Sequence, residues 1–204
     1  MWNHVKEFEQ TIADYAGSLY AVAVDCCTNA IFITAKYLSE EGWNKPQVTL
    51  PKRTYVSVAQ SLWQAGYNLR FDDIEWEGLY RIKPFNLIDS ACRFTKDMYI
   101  PGSYQCLSFH HRKILSTVRG GMILTNDAKF VEWVRPMIYM GRDWDKKYEE
   151  DTPIVGGYNM YMTPEQAIEG LKKFKELPEH NEDLAGYSDY TDISTLNWMH
   201  TIHD

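Results

Sequence analysis

Leu19 to Val24 (LYAVAV) is an uninterrupted apolar run of strand length. A strand that reads this way is buried on both faces, which is the signature of a strand inside an α/β sheet. The residues around it agree. Val5, Phe8, Ile12 and Tyr15 recur at three- and four-residue spacing and predict an amphipathic helix ended by Gly17. Asp25 to Asn29 reads as a polar turn, and Ile31, Thr34, Ala35 and Leu38 restart a helical stripe.

The alternation continues along the chain. Gln47 to Leu50, Asn68 to Phe71, Phe85 to Ile88, Tyr104 to Phe109 and Met122 to Thr125 read as strands. Between them, Val56 to Ala65 reads as a helix. Asn126-Asp127 caps a helix that holds Phe130, Val131, Trp133 and Val134, and Thr163-Pro164-Glu165 opens another that runs to Phe174. Residues 72–84 carry no helical stripe and predict a connecting loop, and 143–151 predict an exposed charged one. The expectation is a mostly parallel sheet with helices on both faces. Sheets of that kind bind ligands beyond the C-terminal ends of their strands. That rule selects Asp25 to Asn29, Asp89, and Ser108 to Lys113.

Composition narrows the function. Hydrophobic residues make up 45% of the 204, enough for one folded domain, and a 14% aromatic share argues against disorder. A net charge of −7 argues against nucleic-acid binding. No apolar run is long enough to span a bilayer, and the acidic N-terminus is unlike a signal peptide, so the expected location is cytoplasmic. Cys26, Cys27, Cys92 and Cys106 form no CxxC pair, which argues against a zinc site or a disulfide framework. His110 and His111, read as strand neighbours, point to opposite faces and do not share a metal.

Taken singly, the candidate residues have ordinary explanations. Thr28 and Asn29 cap a helix or bind a phosphate at its N-terminus. Asp89 caps the next segment or faces a cationic ring nitrogen. Lys113 is a surface lysine or a Schiff-base nucleophile.

The order of the motifs decides between them. SFHHRKILSTVRGGMILTND (Ser108 to Asp127) resembles the Schiff-base lysine segment of the DegT/DnrJ/StrS family of pyridoxal-phosphate (PLP) sugar aminotransferases. FEQTIADYAGSLYAVAVDCCTNA, LPKRTYVSVAQSLWQAG, DSAC and GYNMYMTPEQAIEGLKKF resemble four more segments of that family in the same register. The resemblance runs from about Phe8 to Phe174.

It implies the large domain of the type I PLP-transferase fold, residues 1–177, followed by a polar tail, 178–204. The cofactor would be pyridoxal 5'-phosphate. Lys113 would form the Schiff base and move protons, and Asp89 would pair with the pyridine nitrogen. Tyr55 would stack on the ring, with Cys92 beside it. Thr28, Asn29 and Ser108 would hold the phosphate, and Asn159 would reach it from the neighbouring subunit of a homodimer. The implied reaction moves an amino group, with glutamate as donor, to a keto-sugar nucleotide. A dehydratase branch of the family has His at the lysine position, and Lys113 argues against it.

The chain also departs from the family. Cys27 stands for a Gly of the phosphate turn, Cys92 for a Gln or His, and Tyr161 for an Arg. Residues 72–84 stand where the family has a further helix and strand, and the small C-terminal domain is largely missing. The alternatives are therefore a non-catalytic or regulatory PLP-fold protein and a sugar-nucleotide binding module.

Overall fold

The computed structural model describes residues 2–40 and 47–197. The elements are α1 (Asn3–Ala16), β1 (Tyr20–Val24), α2 (Cys27–Glu40), β2 (Gln47–Pro51), α3 (Val56–Gln64), β3 (Asn68–Asp72), β4 (Tyr80–Ile82), β5 (Leu87–Asp89), β6 (Tyr104–Ser108), β7 (Gly121–Thr125), α4 (Ala128–Ile138) and α5 (Pro164–Phe174).

The main sheet has the order β1-β7-β6-β5-β4, and β2 pairs in parallel with β3 beside it. An antiparallel bridge between Thr49 and Lys83 joins the two sheets, with Thr49 N–H donating to Lys83 O at 2.8 Å. β5 and β6 are parallel, while β7 is antiparallel to β1 and β6, and β4 to β5. Following these pairings, β1, β2, β3, β5 and β6 share one direction, and β4 and β7 run against it. The α/β class is as expected, but the sheet is more mixed than the mostly parallel one anticipated from sequence. Its shared direction still gathers the C-terminal ends of β1, β5 and β6 at one edge.

Both faces are covered from Ala21 to Val24, which explains the apolar run there, while Leu19 and Tyr20 at its start are exposed. Val22 and Val24 face a core shared with α2, α3 and α4, through Ile31, Leu62 and Phe130. Ala21 and Ala23 face a second core with α1 and α5, through Phe8, Ile12 and Ala167. Alternate residues of a strand point to opposite faces, so a run apolar at every position serves two cores.

β1 is an edge strand, and α1 satisfies part of its exposed backbone. The buried Glu9 accepts a hydrogen bond from Ala23 N–H at 2.7 Å and is held by both terminal nitrogens of Arg135 at 2.5 and 2.7 Å. One carboxylate thus ties α1, β1 and α4 together.

Two expectations are corrected here, and the polar tail acquires a place. The loop expected over 72–84 contains β4, because Tyr80 and Ile82 are both buried and pair with β5. α2 begins at Cys27, so Thr28 and Asn29 lie in its first turn and not in a preceding loop. Residues 178–197 pack back onto the domain: Ile193 is buried, its N–H donates to Lys52 O at 2.8 Å, and Asp183 pairs with Arg93. The last seven residues of the expected tail, 198–204, lie outside the described residues.

Removing the cation from a buried pair strands the carboxylate. Arg135→Ala is expected to lower stability by about 3 kcal/mol, the lower end for such a loss because Arg135 is part-exposed. Urea denaturation measures this, and an unchanged midpoint would show that water replaces the guanidinium at Glu9.

Candidate active site

The edge where β1, β5 and β6 end holds a cavity of about 550 Å³. Six of the residues singled out by sequence line it: Thr28, Tyr55, Asp89, Cys92, Ser108 and Lys113. Two do not. The Asn29 side chain turns back to donate to Asp25 Oδ1 at 2.7 Å, and Asn159 is exposed and bridged to Tyr139.

Asp89 is the last residue of β5 and is buried. Its Oδ1 accepts from Ala91 N–H at 2.9 Å and its Oδ2 from the Tyr80 hydroxyl at 2.8 Å. Burial raises its pKa above the ordinary carboxylate value, and the Ala91 N–H, the Tyr80 hydroxyl and the Lys113 charge pull the other way. Tyr80 in turn meets Thr54 Oγ1 at 2.5 Å.

Lys113 stands on the excursion between β6 and β7. Phe109 and Gly120 close the base of that excursion, with Phe109 N–H donating to Gly120 O at 2.9 Å. Lys113 Nζ lies 3.5 Å from Cys92 Sγ, whose other neighbour is the Tyr190 hydroxyl at 3.4 Å. Burial pushes the Tyr190 pKa up, so the phenol stays protonated at neutral pH. Strand β6 ends at Ser108, so His110 and His111 lie in a turn. Their rings touch, with centroids 3.9 Å apart, where opposite faces had been expected.

The third wall is the start of α2. Thr28 Oγ1 and Ser57 Oγ are 2.8 Å apart, which joins the first turns of α2 and α3. Gly121 permits this placement: a Cβ there would lie 2.4 Å from the Cys26 carbonyl carbon. Free N–H groups and a positive dipole end make a helix start suited to an anion. Arg119 adds a cation at the same wall, where it also donates to Asp25 at 3.0 Å.

Thr54, Ser57, Trp76, Tyr80 and Tyr190 also line the cavity and were missed from sequence. Trp76 and Tyr80 lie in a segment too short to show a period, and Tyr190 lies in a polar stretch with none. Tyr161, at the position where the family has Arg, packs into an aromatic cluster with Trp2 and Tyr139.

The profile of the DegT/DnrJ/EryC1/StrS aminotransferase family matches residues 1–88 and 100–188. The chain belongs to this family. It is 26% identical to the spore coat polysaccharide biosynthesis protein SpsC of Bacillus subtilis, across 89% of this chain and 60% of that one. It is likewise 26% identical to the GDP-perosamine synthase of Caulobacter vibrioides, across 86% of this chain and 57% of that one. Its fold is similar to the crystal structure of the sugar aminotransferase CalS13 from Micromonospora echinospora, with a TM-score of 0.69, 14% identity, and coverage of 85% of this chain and 60% of that one. The chain spans about 60% of the length of the curated relatives it matches.

Enzymes of this family are PLP-dependent, and the groups in the cavity fit that cofactor. A buried carboxylate suits a pyridinium nitrogen, a primary amine suits the aldehyde, and the hydroxyls of Thr28, Ser57 and Ser108 beside a helix start suit the phosphate. Asp89 falls at the start of the stretch between the two matched segments, so its assignment stands on geometry.

The raised Asp89 pKa has a stability consequence. A folded-state value above the unfolded one gives a contribution that is fully present below the unfolded pKa and is lost as pH rises through the folded pKa. At neutral pH the buried Asp89 therefore destabilises the cofactor-free chain. Asp89→Asn is expected to be more stable than wild type at neutral pH, and the gap should close as pH falls below about 4. Denaturation at a series of pH values measures it. A variant less stable at neutral pH would mean that the hydrogen bonds to the carboxylate outweigh its desolvation.

Proposed function

We propose that this chain is a PLP-dependent aminotransferase that moves an amino group, with glutamate as donor, to a keto-sugar nucleotide. The observation that carries this reading is the meeting of a buried carboxylate, Asp89, and a primary amine, Lys113, in one cavity at the C-terminal edge of the sheet. The names of the two curated relatives, a polysaccharide biosynthesis protein and a sugar-nucleotide synthase, supply the substrate class.

When bound, PLP supplies an electron sink that lets an amino group pass from one carbon to another. Lys113 would hold the cofactor covalently and move a proton at the reacting carbon. Asp89 would keep the ring nitrogen protonated by its negative charge. Thr28, Ser57 and Ser108, with the start of α2, would bind the phosphate. Tyr55 is exposed at the start of α3 and would cover the ring. Cys92 replaces a larger polar side chain and would set the spacing between Lys113 and Tyr190.

Residues 1–177 would form the cofactor-binding unit. The stretch after 177 would serve as a wall over the site, since the Tyr190 ring lies tilted against Trp76 with centroids 5.5 Å apart and its carbonyl accepts from Arg53 at 3.0 Å. Asn159, exposed and outside the lining of its own cavity, would contribute to a neighbour's site in a homodimer. Among the described residues no helix is long and apolar enough to cross a membrane, and we place the enzyme in the cytoplasm.

A second reading, PLP binding without turnover, is favoured by the short 72–84 connection, which holds only β4, because remote contacts that orient a substrate contribute to turnover as well as affinity. Borohydride treatment of the PLP-loaded chain is expected to fix the cofactor on the Lys113 peptide. Lys113→Ala should lose this label and slow the half-reaction with glutamate by at least about 10²–10⁴-fold. Label on another lysine would overturn the assignment. Label on Lys113 without any half-reaction would favour the second reading.

A further inference from the structure

β4 has a role beyond filling the sheet. Its register sets Tyr80 directly opposite Asp89 on β5, so the two side chains share one face. The Tyr80 hydroxyl donates to Asp89 Oδ2 at 2.8 Å and meets Thr54 Oγ1 at 2.5 Å. Tyr80, Thr54 and Asp89 are each at most 5% exposed.

The direction of this chain of hydrogen bonds follows from proton counting. An ionised carboxylate only accepts, so Tyr80 spends its single proton on Asp89. Thr54 must then be the donor to the Tyr80 oxygen. Burial and the neighbouring Asp89 charge hold the Tyr80 pKa well above its usual value, so Tyr80 remains a donor throughout the neutral range. On the other side, Ala91 N–H donates to Oδ1 at 2.9 Å. Each oxygen therefore has one fixed donor, and the plane of the carboxyl group is set.

We propose that Tyr80, backed by Thr54, is the positioning residue that orients Asp89 toward the ring nitrogen of the cofactor. This rests on the reading that Asp89 faces that nitrogen. Tyr80 touches neither cofactor nor substrate in this role, and acts through Asp89. Without its hydroxyl, Oδ2 would be left without a donor beside Cys27 and Cys106, and the carboxylate would lose the orientation that pairs it with a ring nitrogen. The loss is specific to the ring nitrogen, and the test exploits that specificity.

The purified full chain, freed of cofactor, is titrated with PLP and with an analogue in which carbon replaces the ring nitrogen. Wild type is expected to bind PLP more tightly than the analogue. Tyr80→Phe should bind PLP about tenfold more weakly and the analogue as wild type does. Thr54→Val, which keeps the side-chain shape, should show the same selectivity with a smaller loss, and it carries the test if Tyr80→Phe does not fold. Equal loss for both ligands would make Tyr80 a mere shaper of the cavity and overturn the proposal, as would no loss for either. Should wild type and Asp89→Asn both bind the two ligands alike, the reading of Asp89 itself fails and the role of Tyr80 falls with it. Wild-type discrimination that persists unchanged in Tyr80→Phe and Thr54→Val overturns the Tyr80 role alone.

Discussion

Tyr80–Ile82 pair antiparallel with Leu87–Asp89, and Lys83 carries the contact on to Thr49 in β2. This short pairing joins the two sheets. It also lets β2 and β3 keep the direction of β5 although little chain separates β3 from β5. A parallel connection needs a long crossover, whereas an antiparallel neighbour needs only a turn. Inserting β4 backwards is thus the way so short a connection keeps the C-terminal ends of β2, β3 and β5 on one edge. It brings Tyr80 to Asp89 at the same time.

The site is organised around a charge held at a cost. Asp89 is buried, and its pKa rises because of that burial. A sequence under selection for stability alone would have no reason to keep an ionisable group there. Two aligned donors, Tyr80 and Ala91 N–H, reduce the penalty and leave the carboxylate oriented. Opposite it, Cys92 stands between Lys113 and Tyr190, within 3.5 Å of each. The stretch after residue 177, polar in composition, supplies Tyr190 to this wall and anchors itself through Ile193 and the Asp183–Arg93 pair.

Much of the scaffold was legible because it rests on local rules. The LYAVAV run, the stripe of α1, the Asp127 cap of α4 and the Thr163-Pro164 start of α5 each depend on neighbours a few residues away. Asp89, Ser108 and Lys113 were legible because they follow strands whose C-terminal ends bind ligands in this architecture. β4 was not, since three residues carry no measurable period and its burial depends on strands distant in sequence. Thr28 and Asn29 were assigned alike from a turn motif, yet one helical turn sends only Thr28 to the cavity.

The sequence by itself determined the family and the order of every strand and helix but β4, and it singled out Asp89 and Lys113, because motif order and hydrophobic period are written along the chain. Only the tertiary structure decided which way β4 runs, which hydroxyl meets Asp89, and that Tyr190 returns to the site. Tyr190 and Cys92 are separated by most of the second half of the chain, and Tyr80 and Thr54 lie on different elements. Contacts of that kind arise from strand register and from burial against a shared core, and no spacing in the sequence encodes them.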